Sequence, residues 1–282
     1  FAPTSLCGPS RASTLTGLFA ERTGIYENLA PLGGSANLDL SSSLPVWLDN
    51  AGYDTGLFGK DRTLPGVDLR MPSQATLPPS PGWDEYFAVI SGGSNGYNYK
   101  VDHNSVTETY GSAPTDYATD VLGQKVAAFV NSSQTTSPNS PLFAYVAPFA
   151  PHFPYTPGPQ DVGAYSDIPA SRPPNFNIPE AGGYPIDDPA YIESIDEGRQ
   201  RALESLLAID RMVVNLRADL QARGILDNTV FVFMSDNGIL RGEHAINDKR
   251  VFYEEVIRLP LIVWDGRQQT AGNTAVSTSD AI

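Results

Sequence analysis

The chain is poor in cysteine and in basic residues, and each shortage excludes a class of protein. Cys7 is the one cysteine among 282 residues, so no disulfide can form within the chain. The 18 basic residues are outnumbered by 32 acidic ones, and the net charge is -14. We therefore expect no nucleic-acid partner, because such proteins need a concentrated basic surface. Any anionic ligand must be held by a local group of cations.

Long apolar runs are also missing. No stretch is apolar over the roughly 20 residues that a membrane-spanning helix needs, and we expect no membrane partner. The first residues, Phe1 to Thr4, have neither the basic leader nor the apolar core of a signal peptide. A chain of 282 residues is long enough to bury one large core, so we expect one α/β domain over residues 1–282.

Gly and Pro residues concentrate in two stretches, residues 63–81 and 151–189, where apolar periodicity disappears. We expect both to be long loops, and long loops in compact enzymes often build binding sites. Between them, apolar spacing predicts helices over residues 13–19, 43–51, 115–130 and 190–223, and strands over residues 53–58, 141–147 and 229–234.

The segment from Thr229 to Met234 is a continuous apolar run, which is typical of a strand buried on both faces. Asp236 and Asn237 follow it directly. Strands that alternate with helices predict a mostly parallel sheet, and ligands of such sheets lie beyond the carboxyl ends of the strands. Asp236 and Asn237 are therefore placed where a metal ion or a substrate would bind.

Residues 7–17, C-G-P-S-R-A-S-T-L-T-G, form the most specific motif of the chain. A buried cysteine at a loop–helix junction is the plainer alternative. The segment resembles the signature of the type I, formylglycine-dependent sulfatases. That resemblance implies that a formylglycine-generating enzyme oxidises Cys7 to the catalytic nucleophile and that the fold is an alkaline-phosphatase-like α/β sandwich. We expect a helix to begin just after Arg11, which would place free N–H groups near a bound anion.

A second series is similar to the same family in the order D-N-G, G-E-H, K and R-x-P. It comprises Asp236-Asn237-Gly238, Gly242-Glu243-His244, Lys249 and Arg258-Leu259-Pro260. Asp-Asn-Gly alone is a common turn. The resemblance implies that Asp236, Asn237 and the modified Cys7 bind a hard divalent cation, calcium, and that Lys249 contacts the sulfate group of a small anionic substrate.

Three further residues match the family. The resemblance implies that Arg11 holds the modified side chain, that Lys60 binds the sulfate, and that His152, in Pro-His-Phe-Pro, donates a proton to the bridging ester oxygen. A lysine after a glycine is otherwise a solvated loop charge. His244 is a weaker candidate that could simply orient its loop, and for His103 a solvated or structural role is the better interpretation.

The chain also departs from the family. An earlier strand ending in paired aspartates normally completes the metal site, whereas six residues precede Cys7 here. We therefore expect a fold that lacks this N-terminal strand and the C-terminal subdomain, with exposed sheet edges that favour self-association. The adjacent pair Asp187-Asp188 lies in a Pro-rich loop and is expected to be surface charge. Arg62 stands where many members carry a histidine, which leaves the base for sulfate release open.

The spacing around Gly82-Trp83-Asp84, Tyr97-Asn98-Tyr99 and Asp248-Lys249-Arg250 most resembles glucosamine-6-sulfatases. This implies a sulfated carbohydrate or an aryl sulfate as substrate, and a secreted, periplasmic or lysosome-like location for a full-length protein. Two alternatives stay open. One is a phosphonate or phosphate ester hydrolase on the same scaffold, and the other is an inactive fragment or a sulfate-ester binding module.

Overall fold

The structure is a computed structural model that describes residues 1–34, 37–61 and 80–268. In chain order its strands are β1 (Asp54–Gly59), β2 (Glu85–Ser91), β3 (Lys100–His103), β4 (Val106–Thr109), β5 (Leu142–Ala147), β6 (Val230–Met234) and β7 (Leu261–Asp265). The helices are α1 (Cys7–Thr16), α2 (Ala20–Thr23), α3 (Leu44–Asn50), α4 (Ala118–Thr136), α5 (Pro189–Ala222) and α6 (Glu254–Ile257).

Five strands form one mixed sheet in the order β4–β3–β2–β1–β5. Strand β1 runs parallel to both of its neighbours, β2 and β5. The other two strands continue the sheet antiparallel to one another and to β2. Strands β6 and β7 form a separate antiparallel pair. This mixed sheet with flanking helices confirms the α/β fold class expected from the sequence.

The main core lies between the five-stranded sheet and the helices α4 and α5. Phe58 of β1, Phe87 of β2 and Phe129 of α4 are buried there, and Leu220 of α5 joins the same cluster. Helix α5 begins where the Asp188 side chain accepts a hydrogen bond from the N–H of Ala190, and it is followed by Arg223 and Gly224. The Asp188 carboxylate is exposed, as expected, and it caps the helix.

Most elements lie where the sequence predicts them, but the first helix does not. It begins at Cys7, six positions before the predicted start at Ser13, so that Arg11 lies inside the helix instead of preceding it. The reason is local, because Pro9 in the first turn has no N–H to lose and a backbone angle that suits a helix start. The helix ends at Gly17, which adopts the left-handed conformation.

Strand β6 is not buried on both faces, so the prediction for this strand is wrong. Within the described residues it pairs with β7 alone. One face of the pair carries Phe231 and Trp264, which pack against the main core, and Arg217 of α5 lies over the Trp264 ring. The opposite face is exposed and apolar; this β6–β7 face consists of Val230, Val232, Met234 and Val263. On the covered face Phe233 and its register partner Ile262 are 43% and 59% exposed, so in the part of the chain that the structure describes only the Phe231–Trp264 end of the pair is covered.

The antiparallel strands β3 and β4 were not predicted, because their short segments alternate weakly and contain charged residues. The predicted loop over residues 151–189 contains turns and no regular helix or strand before α5. The other predicted loop, residues 63–81, falls almost entirely outside the described residues. No helix in the described part of the chain is long and apolar enough to cross a membrane.

The exposed β6–β7 face predicts self-association. Val232 and Val263 are register partners with exposed fractions of 59% and 61%. An apolar patch of this kind favours association in water. We expect the sedimentation coefficient of the chain to rise with concentration, and the double substitution Val232→Lys/Val263→Glu to reduce that rise, because it places an opposite-charge pair on the patch.

A matched control is the double substitution Val106→Lys/Val214→Glu, which changes two valines of similar exposure on β4 and α5. It should leave the concentration dependence unchanged. Equal effects of both double substitutions, or a monomer at all concentrations, would contradict an association through the β6–β7 face.

Candidate active site

Helix α1 contributes two side chains to the site. Cys7 and Arg11 are four residues apart and therefore lie on the same face of the helix, one turn from each other. Nearly every residue of α1 is buried, including Ala12 and Leu15. Because the helix is packed all around, both functional side chains project from a fixed support.

Lys60 directly follows Gly59, the last residue of β1, and the backbone turn at this glycine directs the lysine toward the site. Gly59 has φ = 105°, and a Cβ atom there would lie 2.3 Å from the carbonyl oxygen of Ala147. That approach lets the Lys60 N–H donate to the same oxygen at 2.7 Å. Only glycine permits this close contact between the ends of β1 and β5. The Lys60 side chain is itself buried.

Asp236, just beyond β6, is the carboxylate around which the cations gather. Arg11 Nε donates to Asp236 Oδ2 at 2.8 Å, and Lys60 Nζ lies 3.5 Å from the same oxygen. Arg11 Nη1 also donates to the Lys60 carbonyl at 2.9 Å. These contacts join α1, the end of β1 and the end of β6 into one polar centre.

Lys249 reaches the same centre from a closed loop. The N–H of Leu240 donates to Asp248 O at 2.9 Å, which brings the end of the loop back to its start, and Arg250 N donates to Ser5 O at 3.2 Å beside α1. As a result Lys249 Nζ lies 2.9 Å from Cys7 Sγ and 3.4 Å from Asn237 Oδ1.

The electrostatics of this centre favour negative charge. Burial alone would raise the pKa of Asp236, but Arg11, Lys60 and Lys249 lower it far below its ordinary value. Burial likewise raises the pKa of the Cys7 thiol, yet Lys60 and Lys249 outweigh it and bring the pKa below 9.0. Burial and the Arg11 charge lower the pKa of Lys60. The cations thus hold both acidic groups toward their ionised forms.

His152 lies at the exposed mouth of the site. Its Nδ1 is 2.7 Å from the carbonyl oxygen of Phe153, which can only accept, so Nδ1 carries a proton and Nε2 is protonated only in the imidazolium form. Desolvation by the surrounding protein, with the charges of Lys60 and Lys249, lowers the pKa of His152 below 6.5. The neutral ring, with an accepting Nε2, is therefore favoured at neutral pH.

The structure brings most of the predicted site residues together. Direct contacts link Cys7, Arg11, Lys60, Asp236, Asn237 and Lys249, while His152 acts on the centre through its electrostatic coupling to the two lysines. Arg62 lies outside the described residues.

The two remaining histidines have other surroundings. His244 stacks on Tyr253 at 3.9 Å and lies 3.1 Å from the Asn175 amide, as expected of a residue that orients its loop. His103 lies between Glu85 and Glu108, with its ring nitrogens 2.7 and 2.6 Å from the two carboxylates, as a structural residue would.

Two residues near the site were missed by sequence reasoning. The hydroxyl of Tyr145, on β5, lies 3.5 Å from Arg11 Nη1. The side-chain oxygen of Asn28 accepts a hydrogen bond from Gly8 N at 2.7 Å. Neither residue belongs to a motif used in the sequence analysis, and both contacts depend on tertiary structure.

The described side chains do not by themselves fit the calcium ion that the family resemblance implies. Calcium takes six to eight oxygen ligands, whereas the centre offers the carboxylate of Asp236, one oxygen of which already faces two cations, and the amide oxygen of Asn237, which faces Lys249. No group of three or more His, Cys, Asp or Glu side chains in the described residues could hold a metal ion. A calcium site would need further ligands.

Comparison with known proteins gives a consistent picture. The chain is 30% identical to a Bos taurus protein named N-acetylglucosamine-6-sulfatase over 279 residues, covering 93% of the chain and 48% of that relative. It is 28% identical to a Volvox carteri arylsulfatase over 303 residues, covering 93% of the chain and 44% of the relative. The chain thus spans about half the length of these curated relatives.

Solved structures share the fold. One, described as a complex with its substrate D-glucosamine-2-N,6-O-disulfate, matches with a TM-score of 0.73 and 22% identity over 95% of this chain and 63% of its own. The phosphonate monoester hydrolase of Agrobacterium radiobacter matches with a TM-score of 0.66 and 20% identity over 95% and 60%. The family model named Sulfatase matches residues 1–282. The chain therefore belongs to the sulfatase family.

Proposed function

We propose that the chain carries the active site of a sulfuric ester hydrolase whose nucleophile is a formylglycine made from Cys7. The observation that carries this proposal is the concentration of positive charge around Cys7. Arg11, Lys60 and Lys249 supply three positive charges against the single carboxylate of Asp236, which leaves a local charge of +2 once Cys7 is oxidised and no longer an ionisable thiol. Such a site attracts an anion even though the chain as a whole carries -14.

The proposed chemistry explains why a modified cysteine is needed. A hydrated aldehyde carries two hydroxyls on one carbon. One hydroxyl attacks the sulfur of the substrate, a new oxygen–sulfur bond forms, and the bond between sulfur and the ester oxygen breaks, with a proton passing to the departing alcohol. Loss of the proton from the second hydroxyl then expels sulfate and restores the aldehyde. No water molecule has to attack sulfur in the release step.

The cations have distinct proposed roles. Lys249, 2.9 Å from Cys7 Sγ, is placed to stabilise the nucleophilic oxygen and to contact the sulfate group. Lys60 is proposed as a second sulfate contact, and Arg11 as the residue that holds the modified side chain and balances the charge of Asp236. Preorganised cations of this kind stabilise charge on the sulfuryl oxygens as it develops in the transition state.

His152 is the proposed general acid. Because the Nδ1–H group of His152 donates a hydrogen bond to the Phe153 carbonyl, only the imidazolium form of His152 also has a proton on Nε2 to give to the leaving oxygen. The lowered pKa of His152 therefore makes the acid form scarce at neutral pH. A bound sulfate ester, being an anion, would raise this pKa and restore the acid form as the substrate arrives.

Calcium, a maturation enzyme and an extracytoplasmic location complete the proposal. Asp236 and Asn237, with the modified Cys7, are proposed as part of a calcium site whose other ligands the described side chains do not supply. A formylglycine-generating enzyme is the proposed partner that reads the segment around Cys7. For the whole protein we propose a secreted, periplasmic or lysosome-like location, and one Drosophila melanogaster relative, 26% identical, is named an extracellular sulfatase homolog.

The proposed substrate class is a sulfated carbohydrate. Support comes from the names of relatives, which include N-acetylglucosamine-6-sulfatases of Bos taurus and Homo sapiens, each 30% identical over 279 residues. A second candidate is hydrolysis of a phosphonate or phosphate ester, since phosphonate monoester hydrolases share this fold. A local charge of +2 also suits a doubly charged tetrahedral anion, so the comparison must be made by experiment.

The first test is to produce the chain together with a formylglycine-generating enzyme and to measure the mass of the peptide that contains Cys7. We expect the aldehyde mass, followed by faster turnover of an aryl sulfate than of the matched aryl phosphate and phosphonate. Cys7→Ala is the control and should abolish turnover.

Three outcomes would contradict the proposal. An unmodified thiol would mean that the segment is not recognised, and a clear preference for the phosphonate would favour the second candidate. A chain that carries the aldehyde and binds sulfate esters without ever hydrolysing them would favour a binding module.

Substitution of Lys249 by methionine tests the cationic centre directly. Loss of a charge-assisted contact of about 1.5–3 kcal/mol predicts sulfate binding weaker by roughly 10- to 100-fold, measured by isothermal titration calorimetry. Lys100→Met removes the same charge from an exposed position on β3 and should leave the affinity unchanged. Equal effects of the two substitutions would point to the overall charge of the chain instead of a contact in the site.

The proposed role of His152 predicts a dependence on both pH and leaving group. Because the acid form is lost as pH rises through the lowered pKa of His152, kcat/KM for a sugar sulfate should fall on the alkaline side of that pKa. His152→Gln should remove this limb and slow the sugar sulfate by about 10²–10⁴-fold. An aryl sulfate whose leaving group is an acidic phenol needs no proton on its departing oxygen, so its turnover should be slowed far less. Equal losses for both substrates would exclude His152 as the acid.

A further inference from the structure

The helix that carries Cys7 begins without a capping side chain of its own. Leu6 is at the N-cap position and has no side chain that can accept a hydrogen bond, and the first helical bond runs from Ser10 N to Leu6 O at 3.1 Å. Pro9 has no N–H. The N–H of Gly8 is buried in the first turn, directly beside the nucleophile, and needs a partner from elsewhere.

Asn28 supplies that partner from 20 positions further along the chain. Its Oδ1 atom lies 2.7 Å from Gly8 N, so the side-chain amide occupies the place that an N-cap residue normally takes. Gly8 is the residue of the first turn with the widest choice of backbone conformations. The hydrogen bond therefore restrains the most flexible point of the helix start, one residue from Cys7.

A tightly closed loop holds Asn28 in position. The N–H groups of Tyr26 and Glu27 both donate to Leu32 O, at 2.8 and 3.0 Å. Gly33 then packs so closely on the other side that a Cβ atom there would lie 1.6 Å from the carbonyl oxygen of Glu27. The two ends of the loop are thus fixed against each other, and Asn28 lies between them.

From these contacts we propose that Asn28 is a positioning residue for the nucleophile, acting through Gly8. It fixes the first turn of α1 so that the Cys7 side chain stays 2.9 Å from Lys249 Nζ. The catalytic consequence rests on the proposed function, whereas the effect on the position of Cys7 does not. Without the hydrogen bond the first turn frays, and the sulfur leaves the field of the two lysines.

The test uses the fact that Cys7 is the one cysteine of the chain. In the unmodified protein, its thiolate displaces iodide from iodoacetate, an anion, or from iodoacetamide, which is neutral. The ratio of the two alkylation rates reports how closely the cations surround the sulfur in the folded chain. Because Cys7 is 5% exposed, the folded fraction of each variant is checked by circular dichroism, so that alkylation from unfolded chain is recognised. Amide hydrogen exchange at Gly8, measured in parallel, reports the hydrogen bond itself.

In Asn28→Ala we expect the iodoacetate-to-iodoacetamide ratio to fall about tenfold toward that of a free thiol peptide, because a cationic site concentrates anions by at least that factor. Exchange at Gly8 should accelerate. Gly33→Ala leaves the amide in place but forces the loop open, and it should change both measurements in the same direction. Asn28→Asp keeps an acceptor and should preserve the slow exchange at Gly8.

Asn104→Ala is the control, since Asn104 Oδ1, in the turn between β3 and β4, accepts from Tyr86 N at 2.8 Å across 18 positions, and Asn104 Nδ2 donates to Glu85 at 3.0 Å. It removes a comparable long-range hydrogen bond together with the contact to Glu85, and it should leave the alkylation ratio unchanged. An Asn28→Ala protein that keeps both the wild-type ratio and slow Gly8 exchange would overturn the proposal. A wild-type ratio already equal to that of the free peptide would instead contradict the cationic centre and hence the proposed function.

Discussion

The buried ion pair between Arg11 and Asp236 is the interaction on which the site depends. It joins residues 225 positions apart, at 2.8 Å, and connects helix α1 with the end of β6. Side-chain exposures of 9% and 19% leave both groups largely out of water. Removing one partner of such a pair costs about 3–5 kcal/mol, because the other charge stays buried without compensation. The pair therefore fixes the geometry of the site more than it adds to stability.

A second consequence concerns charge. Each cation of the centre comes from a different element: Arg11 from α1, Lys60 from the end of β1, and Lys249 from the loop after β6. Asp236 offsets only part of their positive charge. The excess of positive charge that remains supports the proposal of an anionic substrate. The glycine at position 59 belongs to the same arrangement, because it allows the close backbone approach that places Lys60 there.

Sequence reasoning located the six residues in direct contact, because each belongs to a short segment that resembles the sulfatase family. It failed where tertiary structure decides. The prediction that α1 begins after Arg11 ignored that Pro9 fits a first turn, and the prediction that β6 is buried on both faces assumed neighbours that the described residues do not provide. Asn28 carries no local signal, since its partner Gly8 is reached only through the closure of a loop.

These points meet at β6, which has the least covered surface of the strands and also delivers Asp236. A strand supported on one face can shift, and any shift would move the carboxylate at its end. Arg11 and Lys60 oppose such movement because they hold Asp236 from elements that are packed into the core. The ion pair thus ties the end of the poorly covered strand β6 to α1 and to the end of β1.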